Sequence, residues 1–111
     1  MTRFATVSLF ALLFTGCTIS EEDFVDAYGE AYCEWVEGCG KLPEQYGTLQ
    51  NCLTNRTVYA QATLTPPDCG FSAKKAQTCL DEIGDNESCD INQALPSACT
   101  EISDCFGDTG L

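Results

Sequence analysis

The chain has 111 residues, nine cysteines, no histidine, and seventeen acidic against five basic side chains, for a formal net charge of −12. That length supports one domain. The negative excess excludes nucleic acid and anionic lipid head groups as partners, because both are polyanions. The missing histidine removes Ser-His-Asp and Cys-His catalysis, c-type haem attachment and nearly all zinc sites of mixed ligand type.

The N-terminus has the three parts of a secretory signal. Arg3 is the positive residue, Phe4 to Phe14 is an uncharged and mostly apolar run, and the small pair Thr15-Gly16 closes it. The run is shorter than the roughly 18 residues that span a bilayer as a helix. An ordinary secretory site has small residues at −3 and −1, whereas Phe14 stands at −3 here. Phe14-Thr15-Gly16-Cys17, with Leu13 just upstream, instead resembles the bacterial lipobox. The resemblance implies cleavage after Gly16, thioether diacylation of Cys17 and N-acylation of the new terminus. Cysteine parity agrees: with Cys17 lipidated, eight remain to pair. The alternative is an ordinary signal with Cys17 as one more disulfide cysteine. One acyl chain holds only marginally, at ~0.8 kcal/mol per buried CH₂, while several anchor stably. Thr18 is not the Asp that retains enterobacterial lipoproteins in the inner membrane, so the expected location is the outer membrane, on its periplasmic or surface face.

The expected layout is a signal peptide over 1–16, a lipidated Cys and short tether over 17–20, and a disulfide-stabilised helical domain over 21–107. The membrane is then a partner only through the anchor, and the short tether keeps the domain near the bilayer. All seventeen acidic residues follow Cys17, against Lys41, Arg56, Lys74 and Lys75. Eight cysteines in so short a mature chain mark a disulfide scaffold made in an oxidising compartment. Cross-links offset the limited core of a small domain, typically by ~2–4 kcal/mol each.

Ser20-Glu21-Glu22-Asp23 has the spacing of a capping box, with carboxylates suited to a helix N-terminus. Phe24, Tyr28, Ala31, Tyr32, Trp35 and Cys39 recur at three and four residues, which predicts a helix from about 21 to 38 with that stripe in the core. Glu30, Glu34 and Glu37 fall largely off it, and Gly38 or Gly40 with Pro43 ends it. Cys33 also lies outside the stripe, so it is expected to bond to a segment crossing the helix flank. Tyr46, Leu49, Cys52, Leu53 and Ala60 predict a second helix from about 43 to 60, weakened by Gly47. Thr65 to Gly70 is a firm break. Ser72 caps a third helix with Phe71 as a staple against Ala76, an inner face of Ala76, Cys79, Leu80 and Ile83, and a stop at Gly84. Pro96 opens a last helix carrying Ala98, Cys99, Ile102, Cys105 and Phe106, ended by Gly107. Period-two alternation is scarce, so no substantial sheet is expected. The fold class is all-α, a small disulfide-rich bundle of about four helices.

Little in the sequence carries chemistry. There is no C-x-x-C, no glycine-rich phosphate loop, and no closely spaced cysteine pairs of the kind a Cys₄ zinc site uses. Asn55-Arg56-Thr57 matches a glycosylation sequon to which no role attaches in a bacterial chain. Asp81, Glu82, Asp85, Glu87 and Asp90 supply hard oxygen ligands suited to Ca²⁺, but not in EF-hand register. A solvated helix end is the simpler account of them.

After the lipobox, Ala31-Tyr32-Cys33-(x₅)-Cys39, Cys52, Ala76-Gln77-Thr78-Cys79-Leu80, Cys89 and Leu95-Pro96-Ser97-Ala98-Cys99 resemble the small Cys-rich helical lipoproteins of myxobacteria and related deltaproteobacterial lineages. The resemblance implies fold and location and carries no active-site residue. The sequence therefore predicts a lipid-anchored, non-enzymatic envelope protein that presents an acidic surface to a protein partner. No catalytic residue, metal ligand or cofactor is assigned beyond the lipid on Cys17. A Ca²⁺-dependent envelope module using Asp81 to Asp90 is the alternative. Of the 105 pairings open to eight cysteines, adjacency of the first two helices favours Cys39–Cys52. Cys33–Cys79, Cys69–Cys105 and Cys89–Cys99 complete the expected set.

Overall fold

A computed structural model describes residues 19–105 of the chain. The signal segment, Cys17 and the tail from Phe106 lie outside the described residues. Helix α1 spans Glu21–Gly38. Its N-cap is Ser20, whose hydroxyl accepts from the Asp23 amide at 3.1 Å, and Glu21, Glu22 and Asp23 face the positive end of the helix dipole. It stops in a Schellman motif: the Gly40 amide bonds to the Glu37 carbonyl and the Lys41 amide to the Val36 carbonyl. Gly40 adopts the left-handed φ of +71° which that ending requires.

The second expected helix is divided. A single turn, α2 (Leu42–Gln45), precedes α3 (Leu49–Tyr59). Gly47, at φ +85°, turns the chain between them, and Thr48 then caps α3 by accepting from the Asn51 amide at 3.1 Å. A continuous helix would have to discard both the left-handed turn and the cap. Beyond Tyr59 the coil continues as a π-helical segment, Ala60–Leu64, closed where Thr65 donates through both amide and hydroxyl to the Ala60 carbonyl.

Helix α4 spans Ala73–Gly84 from an N-cap at Ser72, as its caps predict, and buries Ala76, Cys79 and Ile83. Leu80 is only half-buried. Phe71 packs on the core with its ring centroid 6.4 Å from that of Phe24. The expected last helix is a short 3₁₀ turn, Ser97–Glu101, with Pro96 at its N-cap. The reason is non-local. The Ser72 amide takes the Ile102 carbonyl at 2.8 Å, and Phe71 and Ser103 form an isolated antiparallel bridge. Backbone paired across that bridge cannot continue a helix. The described residues contain no sheet beyond this one bridge, so the fold is an all-α bundle of about four helices.

Helix α1 is the centre of the bundle, packed against α3 on one side and α4 on the other, with α4 also covered by the 3₁₀ turn. Its buried face comprises Phe24, Val25, Tyr28, Gly29, Tyr32, Cys33 and Val36. That face is rotated from the expected stripe: Ala31, Trp35 and Cys39 are only partly buried. Gly29 is the cause on the α3 side. A Cβ there would lie 2.8 Å from Thr57 Cγ2, so the missing side chain lets the two helices approach.

The disulfides follow this packing. They are Cys33–Cys52, Cys39–Cys89, Cys69–Cys105 and Cys79–Cys99, with Cα separations of 5.9, 5.6, 5.8 and 4.7 Å. Only Cys69–Cys105 matches the expected set. A bond does join the first two long helices, but it leaves α1 from Cys33, which is fully buried on the face that α3 covers. Cys39 stands at the end of α1, opposite the segment after α4, and takes Cys89 instead. Cys79 on α4 then reaches Cys99 on the 3₁₀ turn that packs over it.

Candidate functional site

The rotation of α1 leaves one of its flanks open. Glu30, Glu34 and Glu37 are exposed along it, at the i, i+4 and i+7 positions of one helix row. On one side of this ridge a groove of about 460 Å³ runs between α1 and the segment that follows α4. Its lining includes Ala31, Glu34, Trp35, Ile83 and Glu87, with the Cys39–Cys89 disulfide at one end. Trp35 is fixed there: its indole N–H donates to the Ser88 carbonyl at 2.8 Å, and its ring meets Tyr32 edge-on at 5.3 Å between centroids. On the other side lies a groove of about 380 Å³ between α1 and α3, lined by Glu30, Glu34, Glu37, Leu49 and Leu53. Leu49 is 43% exposed, one of two large apolar side chains that stand out in solvent among the described residues. Glu34 belongs to both grooves.

No lysine or arginine lines either groove. The two ion pairs among the described residues are elsewhere, Lys41–Glu44 at 3.9 Å and Lys75–Glu101 at 2.7 Å. Among the described residues, the ridge carboxylates and Glu87 thus have no counter-ion.

Arg56 is placed differently from the two ion-paired lysines. The Arg56 guanidinium lies 4.1 Å from the Tyr32 ring centroid, 4.2 Å from that of Tyr59 and 5.5 Å from that of Tyr28. Its Nη2 also donates to the Tyr28 hydroxyl at 2.5 Å. Arg56 Nε is buried with no hydrogen-bond partner. Burial raises the Tyr28 phenol well above its ordinary range, and the Arg56 charge beside it only partly offsets that. Tyr32 is raised for the same first reason. This is an aromatic cage already filled by the chain's own cation, so it holds the α1–α3 interface and offers no site to a ligand. In the sequence Arg56 stands out only as a charge and a sequon residue. The signal was present in Tyr28 and Tyr32 one turn apart on α1, with Arg56 and Tyr59 one turn apart on α3.

The eight cysteines from Cys33 to Cys105 are brought together in pairs, while Cys17 lies outside the described residues. The acidic residues considered for Ca²⁺ do not converge. Asp81 accepts from the Gln77 side chain at 3.2 Å and Asp90 from the Asn92 amide at 3.0 Å, each a local contact. Among the described residues no three of His, Cys, Asp and Glu gather as metal ligands would. No described helix is long and apolar enough to cross a membrane.

Fold and site together define a disulfide-stabilised all-α domain with an open, doubly grooved helix flank. No family model, curated protein or solved structure matches the chain.

Proposed function

We propose that the protein is a lipid-anchored, non-enzymatic component of the bacterial cell envelope, held at the outer membrane through Cys17, whose helical domain binds a protein partner through its acidic surface. The observation that carries the anchor is one of pairing. The eight cysteines after Cys17 bond among themselves, so the odd cysteine of the chain is the lipobox residue. Four disulfides suit an oxidising compartment, and the resemblance to Cys-rich myxobacterial lipoproteins points the same way. Binding is favoured by the open flank, which offers apolar grooves rimmed by exposed carboxylates. The Tyr28 phenol, raised by burial, is locked into the interior and faces neither groove.

The test is the intact mass of the protein from the membrane fraction, with and without reduction before alkylation. The expected species starts at Cys17, carries acyl groups, and shows eight alkylatable thiols only after reduction. An unlipidated chain would remove the anchor, and thiols reactive before reduction would remove the scaffold.

A further inference from the structure

We infer that the α1 flank is a docking site for a basic amphipathic segment of another protein, with its lysines or arginines on the Glu30–Glu34–Glu37 ridge and its apolar side chains in the two adjoining grooves. The inference deepens the proposed binding function and rests on it. Charge complementarity selects the occupant. Among the described residues, the ridge glutamates and Glu87 lack counter-ions, and neither groove has a cation in its lining. A second copy of a chain with net charge −12 would bring more carboxylates to the same place, and an anionic lipid surface would be repelled for the same reason. A solvated acidic face needs no apolar flanks, yet this one has Leu49 and Leu53 on one side and Trp35, Ala31 and Ile83 on the other.

Geometry sets the length of the occupant. Glu30 to Glu37 spans two helical turns, about 10 Å at 1.5 Å per residue. Cations recurring every three or four residues along a short helix match that row, and apolar residues on either side of them then fall over the grooves. Trp35 is the aromatic anchor, able to stack against an arginine or the stem of a lysine. Like charges one turn apart on α1 oppose its helicity by a few tenths of a kcal/mol per pair. A bound cation row removes that cost.

Trp35 is the sole tryptophan of the chain, so its emission reports from this groove and its immediate surroundings. The full-length protein at low ionic strength is titrated with a 14-residue helical peptide of lysine and leucine, and with the same peptide carrying glutamine for lysine. Calorimetry is run in parallel. The lysine peptide is expected to shift Trp35 emission saturably and the glutamine peptide to leave it unmoved. The E30Q/E34Q/E37Q variant should bind ~10-fold or more weakly, and the charge-matched E21Q/E22Q/E82Q variant should bind as the parent does. Binding seen by calorimetry with equal affinity for both variants, or with Trp35 emission unmoved, would overturn the docking site while leaving the acidic-surface reading in place. No calorimetric binding of the lysine peptide at low salt would overturn both.

Discussion

Arg56 shows how a single residue can hold an interface without an ion pair. Its guanidinium is flanked by Tyr32 and Tyr59 and bonded to Tyr28, while Nε stays unpaired. Arg56→Ala removes those ring contacts and strands a fully buried phenol, and is expected to cost ~2–3 kcal/mol in urea unfolding. Arg56→Met should cost less, because it fills the volume without a desolvated charge. Tyr28 and Tyr32 give the same interface a pH dependence. Both phenols are held above their ordinary value by burial, whereas in the unfolded chain they titrate near 10. Above that pH the unfolded chain has lost protons that the folded one keeps. Stability is therefore intact below pH ~10 and lost as pH rises beyond it, by up to about 1.4 kcal/mol per pH unit for each group. Urea midpoints between pH 9 and 11 should fall accordingly, and Tyr28→Phe should flatten the decline.

At the scale of the element, the contact of α1 with α3 depends on Gly29. Alanine there gains helix propensity of up to ~1 kcal/mol, but its Cβ meets Thr57 Cγ2, a methyl on a stiff β-branched side chain. Gly29→Ala is expected to lower stability in the parent and to be neutral or stabilising in a Thr57→Ser background, where that methyl is absent and a hydroxyl remains. Equal effects in both backgrounds, measured by chemical denaturation, would show that the close approach does not depend on this contact. The elements themselves differ in how far the sequence reveals them. Helices α1 and α4 are legible because Ser20 and Ser72 sit at the head of a periodic run and a glycine sits at the end. The division of α2 from α3 turns on Gly47 taking a left-handed conformation, which composition hints at and spacing does not encode. The 3₁₀ turn is illegible locally: Ala98, Cys99 and Ile102 have helical spacing, and what stops a helix is backbone pairing with Phe71 and Ser72, some thirty residues earlier. The candidate site was half visible. The Glu30–Glu34–Glu37 row can be read from spacing, but the grooves depend on which flank of α1 the neighbouring helices leave open, and a rotation of the buried face by part of a turn decides that.

For the whole molecule, the pairing of eight cysteines needs the relative placement of helices, and this is why three of the four expected bonds went to the wrong partner. Placement also ranks the bonds by access. Cys33, Cys52, Cys79 and Cys99 are at most 1% exposed. Cys39, Cys69 and Cys105 are partly buried and Cys89 is exposed. Under limiting reductant in native buffer, Cys39–Cys89 and Cys69–Cys105 should open before the two buried bonds. Differential alkylation followed by peptide mass mapping reads the order directly, and early labelling of Cys33 or Cys79 would contradict it.

The order of the bonds along the chain has a consequence of its own. Cys39–Cys89 interleaves with each of the other three along the sequence, so the closed loops overlap instead of standing in series. Cut the backbone once anywhere between Cys33 and Cys105, and at least one bridge still joins the two pieces. A protease that nicks an exposed turn, such as the one at Gly47 or the stretch from Asn86 to Asp90, would therefore release no fragment. On a non-reducing gel the damaged and intact molecules would run together, and only a reductant would separate them.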